Sequence, residues 1–119
     1  MIRLTLPYPP SANHAHHNLP NGSRILNKAA RQFYDDVQML VNIAGVEGIK
    51  GEYSLTIHVY RPRTNADLSN ALKLTEDALQ RAGAIENDKH CVRIVAERHE
   101  AEKPKKANAR VIVELEKVA

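Results

Sequence analysis

Hydrophobic periodicity switches repeatedly along this chain between a period of two and a period of about 3.6, and that alternation restricts the fold more than any other feature. Ile2, Leu4 and Leu6 share one face of a short strand that Pro7, Pro9 and Pro10 end. Tyr53, Leu55, Ile57 and Val59 do the same in a strand over Tyr53–Tyr60, closed by Pro62. Between them, Ala29, Ala30, Phe33, Val37, Leu40, Val41 and Ala44 recur at helical spacing, which predicts a helix over Lys28–Ala44 with Asn27 as its cap and Gly45 as its stop. A second helix is expected over Leu68–Ala82, burying Leu68, Ala71, Leu72, Thr75, Ala78, Leu79 and Ala82 and ending at Gly83. Two more strands, Cys91–Glu97 and Ala109–Leu115, read as a hairpin with a long, basic, proline-interrupted loop. The order β-α-β-α-β-β makes this an α+β fold, two helices packed on a mixed or antiparallel four-stranded sheet. At 119 residues the chain is expected to form a single domain, 1–119. Ser11–Asn27, rich in Asn, His, Pro and Gly, reads as a long loop. A compact domain seldom keeps such a loop unless it is functional or disordered.

Composition narrows the function classes. No apolar run is long enough to span a bilayer, and the first residues do not form a signal peptide. The lone Cys91 excludes an internal disulfide framework and fits a reducing, cytoplasmic setting. A net charge of +3, with basic residues gathered at Arg61, Arg63, Lys103, Lys105, Lys106 and Arg110, favours a polyanionic partner over a small-molecule substrate. With no Trp, one Phe and four Tyr, a base-stacking platform is not expected, so any nucleic acid is gripped by its backbone. His14, His16 and His17 lack the spacing of a structural zinc site, and Cys91 has no His partner in motif spacing.

Chemistry concentrates in two acidic clusters. The first runs from Asp67 through Ser69, Asn70, Lys73 and Glu76 to Asp77, and the second is Asn87-Asp88. At about 100° per residue, Ser69, Lys73, Glu76 and Gln80 fall together on the helix face opposite the apolar stripe. If the fold joins the clusters, oxygen donors and a lysine share a pocket suited to holding a divalent cation against a phosphodiester. Taken singly, Asp67 is an ordinary N-cap, Asp88 a turn residue, and Lys73 and Glu76 solvated helix residues.

The combination is more specific than its parts. Leu6-Pro7-Tyr8-Pro9-Pro10-Ser11-Ala12-Asn13 follows the first strand, and Arg61-Pro62-Arg63 ends another. Asp67-Leu68-Ser69-Asn70 with Lys73 then leads through Ala82-Gly83 to Asn87-Asp88. This pattern resembles the RusA family of Holliday junction resolvases over nearly the whole chain. The resemblance implies a Mg²⁺-dependent endodeoxyribonuclease, with Mn²⁺ as a possible substitute, that resolves four-way junction DNA by paired symmetric nicks. It also implies a homodimer working in recombination and repair, often of prophage origin. Carried over by position, Asp67, Lys73 and Asp88 become catalytic, and Asp67 and Asp88 ligate the metal. Asn13, Arg61, Arg63, Asn70, Lys89, Lys105 and Lys106 become candidate DNA contacts. Ser69 departs from the pattern, standing where the family carries a second metal-binding aspartate. Three explanations compete: Glu76 supplies the missing carboxylate, Ser69 holds a metal-bound water, or the chain is a catalytically impaired junction-binding protein.

Overall fold

The computed structural model describes residues 1–10, 16–18, 24–26, 28–63 and 66–118, the two short segments by backbone alone. Strand β1 (Ile2–Pro7) is followed by the short strands β2 (His16–Asn18) and β3 (Arg24–Leu26), then helix α1 (Lys28–Ala44). Strand β4 (Tyr53–Arg61) leads into helix α2 (Leu68–Arg81) and a single 3-10 turn, Asp88–His90. Strand β5 (Cys91–Glu100), a one-turn helix α3 (Lys105–Asn108) and strand β6 (Arg110–Lys117) complete the described elements. The α+β class and the four-stranded mixed sheet agree with the periodicity.

The strand order is β1-β6-β4-β5. Strand β6 runs antiparallel to both β1 and β4, whereas β4 and β5 are parallel. The expected hairpin between the last two strands is therefore incorrect: β4 lies between them. Two parallel neighbours need a crossover, and α2 supplies it. That crossover carries β5 to the sheet edge, and β6 then fills the gap between β1 and β4. The long loop also needs correction, because β2 and β3 pair antiparallel within it. The Asn27 cap lies outside the described residues.

One face of the sheet is dry. Leu4, Leu6, Leu55, Ile57, Val59, Val111, Val113 and Leu115 meet Ala30, Phe33, Val37 and Val41 of α1 and Ala71, Leu74, Ala78 and Leu79 of α2. Each fully buried Val, Leu, Ile or Phe contributes about 1.5–3 kcal/mol. The helical stripes differ in detail from expectation: Ala29 and Ala44 are exposed, and Tyr34 and Leu74 are buried. Tyr34 is recruited because the Arg81 guanidinium lies 4.4 Å above its ring, joining α1 to the end of α2. The other sheet face carries Arg3, Thr5, Thr56, His58, Tyr60, Glu97, His99 and Glu114, all partly or fully exposed. One covered and one open face is the usual arrangement where antiparallel pairing dominates.

Buried Thr75 has a hydroxyl with no hydrogen-bond partner among the described residues. An unmade buried hydrogen bond costs free energy that an apolar isostere avoids. Thr75→Val is expected to raise stability by about 1 kcal/mol, read as a higher midpoint in urea unfolding. A lower midpoint would mean that the hydroxyl is satisfied by water.

Past α2 the chain is held by backbone. Gly83 adopts φ +78°, which L side chains rarely reach. Ile49 N–H donates to Ala84 O at 2.9 Å, and Glu86 N–H donates to Ile49 O at 3.1 Å. These bonds form an isolated bridge between Ile49 and Ile85 and fix the approach to Asp88. Gly48 sits so close that a Cβ there would overlap the carbonyl oxygen of Gly83.

Candidate active site

Asp67 and the Asn87-Asp88 turn lie at opposite ends of α2. Asp67 is the N-cap, with extended backbone and Oδ1 accepting a hydrogen bond from Ser69 N–H at 2.8 Å. Both residues are exposed and Asn70 is partly buried. Tyr8, Arg61 and Arg63 share this end with Asp67. Burial raises the pKa of the Tyr8 hydroxyl, the charges of Arg63 and Arg61 oppose the rise, and Asp67 adds to it. Arg63 is exposed, while Arg61 is largely buried and bound to Glu100, its Nη2 lying 2.6 Å from Oε1. That ion pair joins β4 to β5 and holds the Glu100 carboxyl below its usual range, with Lys105 and Arg98 adding in the same direction. The end of α2 that carries Asp67 is therefore also the basic end.

Toward the other end, Glu76 lies within electrostatic reach of Asp88. Gln80 Oε1 accepts from Asp88 N–H at 3.1 Å, tying the 3-10 turn to the last turns of α2. Asn87 caps that turn, its side chain accepting from Lys89 N–H at 3.0 Å. Glu76 is partly buried, and its pKa is raised first by that burial, then by the charges of Asp88 and Asp77. Tyr53 lies within electrostatic reach of both carboxylates. Its buried hydroxyl has no well-formed hydrogen bond, and its pKa is raised by burial and by the neighbouring Cys91, Glu76 and Asp88. The Cys91 thiol donates to Arg93 O at 3.4 Å and is pushed up by burial, in keeping with a structural role.

Helix rise separates the two ends. The nine residues from Asp67 to Glu76 span about 14 Å. Lys73 is exposed between them, one turn from Glu76. Lys89 belongs with Asp88 on the 3-10 turn, and Lys105 and Lys106 lie on α3. Asn13 is outside the described residues. Among the described residues, one group of His, Cys, Asp and Glu side chains is close enough to hold a metal, and it is His58, Glu97 and His99. Sequence reasoning missed this group. The available signal was the alternation of β4, which sets His58 on the polar face.

A family of endodeoxyribonucleases, RusA, matches positions 7–116 of the chain, from the end of β1 almost to the end of β6. The chain belongs to the RusA endodeoxyribonuclease family. No individually curated protein matches the sequence. Membership places the chain among nucleases of the Holliday junction resolvase type, hydrolases that act on branched DNA. No helix among the described residues is long and apolar enough to cross a membrane.

The raised Glu76 carboxyl has a pH signature. A carboxyl whose folded pKa lies above its unfolded value destabilises the fold once ionised. The cost begins as pH rises through the unfolded value, is complete above the folded one, and vanishes in acid. Glu76→Gln is expected to raise the melting temperature at pH 7, in metal-free buffer, and to leave it unchanged near about pH 3. An equal rise at both values would show that the gain has another origin.

Proposed function

We propose that the protein is a cytoplasmic, Mg²⁺-dependent Holliday junction resolvase acting as a homodimer, with each site assembled from two chains. The observation that carries this reading is the separation of the acidic residues along α2. Glu76 and Asp88 form a pair at one end, and Asp67 caps the other end beside Arg63. A two-fold axis that sets two α2 helices antiparallel brings the partner's Asp67 to the Glu76–Asp88 pair, and does so twice. The basic end of one chain then faces the carboxylates of the other, so charge complementarity favours the pairing.

The donor set suits a hard cation. Burial raises the Glu76 pKa and the charge of Asp88 adds to the rise, a repulsion that a divalent ion would relieve. Glu76 supplies the carboxylate that Ser69 lacks. When bound, such an ion polarises the scissile phosphate and lowers the pKa of bound water. Lys73, exposed one turn from Glu76, offsets charge that builds on the phosphate or its leaving oxygen. Arg63, with Lys89, Lys105 and Lys106, contacts phosphates and orients the junction without reading sequence. Manganese, with similar ligand preferences, substitutes for magnesium.

Ser69 supports a second reading, in which the chain binds junctions without cutting them. Cleavage of a synthetic four-way junction with Mg²⁺, Mn²⁺ or EDTA, with binding recorded in parallel, separates the two. Paired symmetric nicks that EDTA abolishes are expected. Tight binding without nicks in either metal would replace the resolvase by the binding protein.

A further inference from the structure

A second constellation lies on the open face of the sheet, away from both ends of α2. Strands β4 and β5 pair in parallel with His58 opposite Glu97 and Tyr60 opposite His99. The alternation of each strand turns these four side chains to the same face. His58 Nδ1 lies 3.1 Å from His99 Nε2. Glu97 Oε2 lies 3.9 Å from His58 Nδ1 and 3.8 Å from His99 Nε2. Three ligand atoms thus form a small triangle. A tetrahedral zinc with ligand bonds of about 2.0–2.1 Å has edges of roughly 3.4 Å, within a few tenths of an ångström of all three sides.

We propose that His58, Glu97 and His99 form a transition-metal site, best suited to Zn²⁺, in which His58 Nδ1, His99 Nε2 and a Glu97 oxygen are the ligands. It is independent of the nuclease reading. Two further contacts single out this arrangement from a chance meeting of polar residues. Glu114 Oε1 lies 3.3 Å from His58 Nε2, the ring nitrogen that does not face the triangle. Assigning the His58 proton to Nε2, where Glu114 accepts it, leaves Nδ1 as a bare lone pair facing His99. A carboxylate behind a ligating histidine is the usual way of fixing tautomer and ring orientation at zinc. The His99 ring is held as well. It stacks on Tyr60 at 4.7 Å between centroids and 18° between planes, and Arg110 covers the other side of Tyr60 at 4.0 Å. His99 and His58 have side chains 34% and 25% exposed, so the site is shallow but partly shielded. Imidazole nitrogen with one carboxylate matches zinc, nickel or copper better than magnesium. Three protein ligands leave a fourth position for water or another ligand. Bound metal would fasten the edge strand β5 to β4 by side chains as well as backbone.

The test uses the full chain, stripped with chelator and titrated with Zn²⁺, and with Co²⁺ as a spectroscopic substitute. The expected result is one equivalent per chain, a rise in melting temperature, and the visible absorption of tetrahedral Co²⁺. His99→Asn and Glu97→Gln should each weaken binding at least tenfold, and Glu114→Gln by about 10–100-fold. The combined variant His14→Asn, His16→Asn, His17→Asn should bind as the parent does. Circular dichroism checks that each variant is folded; if His99→Asn is not, Glu97→Gln decides, because Glu97 is 54% exposed. Absence of stoichiometric binding, or binding that survives Glu97→Gln or His58→Asn with His99→Asn unchanged in strength, overturns the site. So does loss of binding in the His14, His16 and His17 variant.

Discussion

Mixing two inactive variants, Asp67→Asn and Asp88→Asn, is expected to restore cleavage of a four-way junction. In the proposed dimer, each change alone removes one carboxylate from both sites. Loss of several kcal/mol of charge stabilisation corresponds to a fall of roughly 10²–10³-fold in rate, while junction binding persists on the basic residues. In a mixed dimer one site collects both substitutions and the other collects none. Subunit exchange at equal concentrations makes about half of the dimers mixed, each with one intact site, and the product is a single nick rather than a pair of nicks. If all ligands of a site came from one chain, every site in the mixture would lack one and no cleavage would return. That outcome, with exchange demonstrated by a tagged subunit, would refute the two-chain assembly.

Gly48→Ala carries the largest expected cost in stability. The new methyl group would overlap the carbonyl oxygen of Gly83, and a backbone atom held by flanking hydrogen bonds has little room to retreat. Relief requires the Ile49–Ile85 bridge to part, which gives up two backbone bonds as well as packing around buried Ile49 and Ile85. Overpacking of this kind costs about 1–3 kcal/mol, and the strained bridge places this position at the upper end, about 3 kcal/mol. Urea unfolding measures it directly. Because the same bridge leads to Asp88, the variant should also lose cleavage while still folded at low temperature. A neutral result would show that the Gly48–Gly83 approach can open freely.

Elements were legible in this chain where one physical period dominated. Helix α1 runs over the expected Lys28–Ala44, because its apolar stripe is regular and Gly45 leaves it at φ +64°. Helix α2 and β4 were equally plain. Strand pairing was not. Nothing in the spacing between Cys91 and Leu115 shows that β4 intervenes, since order in a sheet depends on which face α2 crosses rather than on local pattern. Tyr34 was hidden because a phenol over which an arginine lies is indistinguishable in sequence from a solvated one. At the candidate site, helical angles alone place Lys73 and Glu76 on one face. The approach of Asp88 to the Glu76 end of α2 needed the return of the chain through Gly83–Asn87. The distance from Asp67 to Asp88 needed the whole crossover. His58 and His99 are brought together only by the parallel register of β4 and β5, a long-range property that no local signal carries.

The length of α2 has a meaning for the substrate as well as for the fold. In the two-chain arrangement, each helix begins at one site and ends at the other. The separation of the two cuts would then be set by a rigid rod inside each subunit, about 14 Å from Asp67 to Glu76 at 1.5 Å per residue. Such a rod acts as a ruler. In the proposed dimer it would select branched DNA by the distance between two phosphates across the crossover, a quantity that linear duplex does not present in the same geometry. An enzyme built this way needs no base contacts to tell a junction from ordinary DNA, and lengthening the helix by one turn would change which shape it measures.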